Sequence, residues 1–189
     1  MVEAESRRFE KYNDRFTGDH QWSKQRSMDT GEAVLGFLSV FAEAAQISPR
    51  DVAVVRFGDS ADLADELASM ILAGKKRAAT YLARDFAQGR PPPRPGDLEV
   101  VLDGEKLPRC IIRVVQVDIK PLGAVDEQFA WDEGGGDRSL SWWRSAHARY
   151  FKRQAAREGF SLDKTTEVVL ERFEVVWPPE VADAPLRPA

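Results

Sequence analysis

LEVVLDGEKLPRCIIRVVQVDI, residues 98–119, decides what kind of fold this chain adopts. Two β-branched runs, LEVVLDG and RCIIRVVQVDI, flank the pair Asp103-Gly104, which favours a tight turn. The stretch reads as two strands joined in a hairpin. Just before it, GRPPPRPGD (residues 89–97) is a stiff exposed loop that ends in a turn. Further upstream, GKKRAATY (residues 74–81) starts at a glycine suited to stopping a helix and continues as extended chain. The helix it stops runs from Ala61 to Ala73, with Leu63, Leu67, Met70 and Ile71 on one face. Asp59 or Ser60 caps that helix, after a short strand and turn in AVVRFGDS.

Downstream of the hairpin, a loop and a short helix lead to EGGGDRSL (residues 133–140). Asp137 or Ser139 then caps a long helix reaching about Glu158. The last strand is TEVVLERFEVVW (residues 166–177), closed by Pro178-Pro179. Four or five strands with helices at the margins describe an α+β domain built on a small mixed β-barrel. Residues 51–178 form this domain, and 179–189 are a Pro-rich tail. Residues 1–50 are an N-terminal helical extension with Phe9, Tyr12, Phe16 and Trp22. The extension includes an apolar helix, Glu32 to Gln46, that needs a partner surface. It is a candidate homodimer contact.

Composition excludes several classes. The chain has 189 residues, 43% hydrophobic and 31% charged, enough for a sizeable core. A lone cysteine, Cys110, cannot form an internal disulfide, and no signal peptide is expected, because the first thirty residues are charged throughout with no apolar run. A cytoplasmic protein is expected. The longest apolar run, Ala33 to Ala45, is too short to span a membrane, so no membrane partner is expected. Two distant histidines, His20 and His147, match no metal-ligand spacing, and no metal or other cofactor is expected.

The formal charge of −4 hides a segregation. Residues 74–94 carry six cations and one acid, and residues 138–157 carry six cations and no acid. Such a chain can present a basic face while remaining acidic overall. Lys75, Lys76 and Arg77 suit a helix C-terminus, where one cation satisfies the dipole and three exceed it. Glu133 is either a solvated loop residue or a carboxylate placed for proton transfer. The glycines after it lead into a helix start whose N–H groups can hold a phosphate. Trp143, His147 and Tyr150 share one helix face, where core packing is the ordinary role. Trp142 and Arg149 lie on the other side, where an aromatic among arginines can stack a base.

The stretches FGDSADLADELASMILAGKKRAAT, PGDLEVVLDG, RCIIRVVQVDI, FAWDEGGGDRSLSWWRSAH and ERFEVVWP together resemble the ASCH (ASC-1 homology) domain family. They are most similar to a bacterial branch with an EGxGDRSLxYWRxAH stretch. The resemblance runs from Val54 to Pro178. It implies a PUA-like β-barrel with flanking helices, an RNA-associated fold, and a cleft lined by a GxKxxExR-like motif. Gly74 and Lys76 match that motif. Ala79 stands where members have Glu or Thr, and Tyr81 stands where they have Arg. Glu133 matches a carboxylate that, in the family's small amidohydrolases, joins a Lys–Thr–Glu set removing acetyl from N4-acetylcytidine. Other members are metal-independent ribonucleases acting on single-stranded RNA.

Three functions follow from this. The leading one is a single-stranded RNA-binding protein that cleaves its ligand without metal. Lys76 would steady charge at phosphorus, and Glu133 and Tyr81 would move protons. Lys75, Arg77, Arg84, Arg144 and Ser139 would hold phosphates, with Trp142 and Arg149 beside the bases. The second is an amidohydrolase acting on a modified nucleoside through Lys76, Thr80 and Glu133. Position 79 is expected to face the lysine, so Thr80 would serve only after a one-residue slip. The third is an RNA-binding module without catalysis.

Overall fold

The computed structural model describes residues 24–86 and 91–183. The expectations on Phe9, Tyr12, Phe16 and Trp22, on residues 89–90 of the proline-rich loop and on the end of the tail lie outside the described residues. The described chain orders as α1 (Lys24–Ala45), β1 (Val52–Val55), α2 (Ala61–Leu72), β2 (Ala78–Leu82), β3 (Leu98–Leu102) and β4 (Pro108–Pro121). After these come α3 (Glu127–Glu133), α4 (Leu140–Glu158) and β5 (Glu167–Trp177).

The strands form one mixed five-stranded sheet in the order β1-β3-β4-β5-β2. β1 runs parallel to β3, and β2 runs antiparallel to β5. The α+β architecture is as expected, but the sheet is not closed into a barrel. β1 and β2 are its two edges, and at four and five residues they are short, as sheet edges often are.

Among the described residues the chain divides into two compact units. One runs to Ser69, resumes over Leu98–Ile112 and again from Val175; the other holds Met70–Asp97 and Arg113–Glu174. In the first unit, α1 places Val34, Leu38, Phe41 and Ala45 at helical spacing. These side chains are buried with Val52, Val100, Leu102, Ile111 and Val176. That burial explains an apolar helix whose partner surface the sequence left open. The hairpin turn forms where Asp103-Gly104 marks it: the Asp103 carboxylate accepts the N–H groups of Glu105 and Leu107 at 3.0 and 2.9 Å. Cys110 is buried in β4. Val34→Ala is expected to cost about 1–3 kcal/mol, measured as a lower urea midpoint at unchanged slope.

The second unit carries the candidate site. Gly74, at φ +73°, ends α2, and its N–H donates to Ile71 O at 3.1 Å. The chain then straightens into β2, with Ala78 opposite Arg172 and Leu82 opposite Val168. The Ser139 hydroxyl accepts the Trp142 N–H and so caps α4, which ends at Gly159 in the left-handed region. Ala78 and Leu82 pack with Phe129, Ala130, Trp143, Phe151, Val168 and Leu170. This apolar contact fixes which side of β2 faces α3 and α4. Among the described residues no helix is long and apolar enough to cross a membrane.

Candidate functional site

Strand alternation puts Ala78, Thr80 and Leu82 on one side of β2, and Ala79 and Tyr81 on the other. The first side is the one packed against α3 and α4. Thr80 is the polar member of that row, and its hydroxyl donates to Glu133 Oε2 at 2.8 Å. This corrects the expectation about position 79. Ala79 pairs with Glu171 across the ladder, and Thr80 reaches Glu133 with no slip of register. Lys76 and Thr80 are an even number of residues apart, and the ladder extends back to Arg77, whose carbonyl accepts the Phe173 N–H at 3.0 Å. Both side chains therefore project from the same side of the extended chain.

α3 delivers Glu133 as its last residue. Asp126 caps this short helix by accepting the Phe129 N–H at 2.8 Å. Two contacts then hold its far end: the Arg77 N–H donates to Asp132 O at 2.7 Å, and Arg172 Nε to Asp132 Oδ2 at 2.8 Å. Gly134 follows at φ +82°, and a Cβ there would lie 2.2 Å from Lys75 O. Only glycine allows so close an approach to the backbone beside Lys76. Glu133 is therefore not a solvated loop residue: it is buried at the end of α3. The Trp142 indole covers Gly135 and Gly136 so closely that a Cβ on either would meet its ring at 2.3 or 2.1 Å.

Glu133 is buried and receives four polar groups. Thr80 and the Trp143 indole N–H donate to Oε2. Lys76 Nζ stands 3.5 Å and His147 Nε2 3.3 Å from Oε1. Four donors match the acceptor capacity of one carboxylate. Burial alone would raise the Glu133 pKa. The charges of His147 and Lys76, with hydrogen bonds from His147 and Trp143, outweigh it and hold the group well below the usual carboxylate range. Lys76 is 3% exposed and also donates to Ala78 O at 2.7 Å. Burial pushes its ammonium down, while Glu133 and Glu171 pull against that shift.

The structure therefore brings Lys76, Thr80 and Glu133 together and leaves Tyr81 out. Tyr81 meets Phe86 edge-on, with ring centroids 5.8 Å apart. Among the residues expected to hold phosphate, Arg77 is half-buried and donates to Ile71 O and Lys76 O at 2.7 and 2.8 Å. It serves the helix end. The Ser139 hydroxyl caps α4. Arg84 lies 3.7 Å from the centre of the Phe160 ring. Lys75, Trp142, Arg144 and Arg149 are exposed. Trp143 and His147, on the helix face where core packing is the ordinary role, both reach Glu133. Their rings stack at 4.1 Å and 21°. Their i, i+4 spacing was the available signal, because it aims two polar edges at a single point.

A family model described as the ASCH domain matches residues 53–177. Among solved structures, an ASCH domain from Lactobacillus crispatus JV V101 is 32% identical, covers 76% of this chain and 94% of its own, and superposes with a TM-score of 0.69. A protein from Enterococcus faecalis V583 is 29% identical over 77% of this chain and 88% of its own, with a TM-score of 0.70. A comparison with curated proteins finds no match.

Proposed function

The chain belongs to the ASCH domain family, and from that premise we propose that it hydrolyses an acyl amide on a nucleobase, with Thr80 as nucleophile. What supports this is one hydrogen bond: Thr80 Oγ1 donates to Glu133 Oε2 at 2.8 Å, within a cluster that also holds Lys76. A hydroxyl aimed at a fixed carboxylate, with a third group orienting that carboxylate, is the arrangement of an activated nucleophile. Thr80 Oγ1 bonds to the amide carbonyl carbon as its proton passes to Glu133. The C–N bond then breaks, and the leaving nitrogen takes that proton. Water hydrolyses the acyl ester, releasing the carboxylic acid and restoring the Thr80 hydroxyl. Lys76 keeps Glu133 in place and offsets charge as the proton moves.

Phosphodiester cleavage draws less support from the same geometry. Its proposed cation, Lys76, is buried against Glu133, and its proposed proton carrier, Tyr81, is on the other side of the strand. RNA recognition is a compatible second reading. Arg144 and Arg149 are exposed on α4, within a stretch of twenty residues that holds no acid. An acylated cytosine within a single strand would join both readings.

N4-acetylcytidine is the probe, and acetate release is the measurement. The wild-type protein is expected to release acetate in EDTA; no release from the nucleoside or from a single-stranded oligonucleotide containing it overturns the hydrolase. Binding of unmodified single-stranded RNA is expected to weaken steeply with salt, by about 0.7 log units per log unit of salt for each phosphate contacted. RNA affinity unchanged by Arg144→Ala with Arg149→Ala would remove the RNA surface from α4.

A further inference from the structure

Trp131 stands on α3 two residues before Glu133, and 54% of its surface is exposed. A lone exposed aromatic is ordinary. This one carries a cation: the Arg138 guanidinium carbon lies 4.8 Å from the centre of its ring, within cation–π range. The guanidinium is also pinned, because its Nη2 donates to Lys75 O at 2.8 Å. That carbonyl is the one a Cβ on Gly134 would meet at 2.2 Å, so the guanidinium lies beside the end of α3 that carries Glu133. Arg138 takes φ +63°, a left-handed backbone uncommon outside glycine. The hydrogen bond to Lys75 O explains where the guanidinium is held. It does not explain an indole left half exposed against it.

The indole is also braced. Asp132, between Trp131 and Glu133, accepts the Arg77 N–H through its carbonyl and Arg172 Nε through its carboxylate. Trp131 is thus fixed relative to Glu133 before any ligand arrives, which spares the ligand the cost of ordering it. The nearby acids are engaged elsewhere: the Asp132 carboxylate with Arg172, and Asp137 Oδ1 with the Ser139 N–H at 2.9 Å. Lys75, whose carbonyl holds the guanidinium, is exposed. A flat apolar ring beside two cations suits a base and its phosphates.

We propose that Trp131, with Arg138 stacked on it, is a platform for the nucleobase next to the one that reaches Thr80, so that the substrate is an acylated base within a single-stranded oligonucleotide rather than a free nucleoside. Every base has a π-face, so the platform grips a strand without reading its sequence. Trp142 differs, because its ring is spent on covering Gly135 and Gly136. The choice of substrate rests on the hydrolase reading, whereas the stacking does not.

Anisotropy of a labelled single-stranded RNA hexamer, in EDTA, tests the platform without turnover. Trp131→Ala is expected to weaken binding about tenfold, and Trp131→Phe to restore most of the loss. A hexamer lacking its internal bases is expected to bind wild type and Trp131→Ala alike. The platform is overturned by a Trp131→Ala protein that binds the intact hexamer as wild type does, by equal losses on both hexamers, or by a wild-type protein that binds neither. For turnover, kcat/KM on a trinucleotide with N4-acetylcytidine at its centre is expected to exceed that on the nucleoside by about tenfold. Trp131→Ala is expected to remove most of that advantage; equal values in wild type overturn the oligonucleotide assignment. Base-dependent RNA binding without acetate release leaves the platform standing and sinks only the hydrolase. Acetate release with no effect of Trp131→Ala on either measurement does the reverse.

Discussion

Glu133→Ala is expected to destabilise the protein by about 3–5 kcal/mol, a fall in melting midpoint of roughly 10 °C or more. The size follows from what the substitution leaves behind. Lys76 keeps its ammonium in a site 3% exposed, with its principal counter-charge removed, and the Trp143 N–H and Thr80 hydroxyl lose their acceptor. Removing the charge from both partners should undo much of the damage. Lys76→Met with Glu133→Gln is expected to recover most of the loss, because an uncharged pair carries no buried ion. A Glu133→Ala protein within about 0.5 kcal/mol of wild type would mean that the cluster is open to water.

The pH dependence has a definite sign. The folded pKa of Glu133 lies below its unfolded value of about 4.3. Its contribution is therefore fully present above that pH and is lost as pH falls through the folded value. Lys76 acts in the opposite sense, since its folded pKa is also lowered. The unfolded chain holds that proton more tightly, so the associated penalty is present below the folded value and is relieved as pH rises through it toward about 10.4. Wild-type stability should thus drop below about pH 4, and the drop should be smaller in Glu133→Ala.

Thr80→Val is expected to reduce acetate release by about 10³-fold or more, with Thr80→Ser retaining most of it. Valine keeps the shape and the β-branching that suit β2, and it removes only the hydroxyl. The accompanying loss of stability should be about 0.5–1.5 kcal/mol, one hydrogen bond to a buried acceptor. Near-normal stability with abolished turnover separates a nucleophile from a structural hydroxyl. If Thr80→Val turns over substrate like wild type, Thr80 is not the nucleophile and Glu133 serves only to hold Lys76.

Much of the scaffold was legible because its signals are local. Gly74 stops a helix, Asp103-Gly104 turns a hairpin, Ser139 caps α4, and the β-branched runs are strands. Each depends on chemistry within a few residues. The closing of the sheet was not legible, because an edge strand and an interior strand can share one alternating pattern. Arg77 stayed open between two roles for a related reason. The same cation suits a phosphate or a helix end, and only the reach to Ile71 O and Lys76 O decides between them.

The site divides along the same line. By itself the sequence determined that Lys76 sits where a helix gives way to a strand, and that Glu133 heads a glycine run before a capped helix. It also held the parity that links Lys76 to Thr80. Only the tertiary structure decided that Thr80 faces Glu133, that Ala79 and Tyr81 do not, and that Trp143 and His147 complete the carboxylate's shell. Alternation sorts a strand's residues into two rows, but it does not say which row faces the helices. In β2 that choice fell to Ala78 and Leu82 packing against Phe129, Trp143 and Phe151, and the apolar contact carried Thr80 in with them.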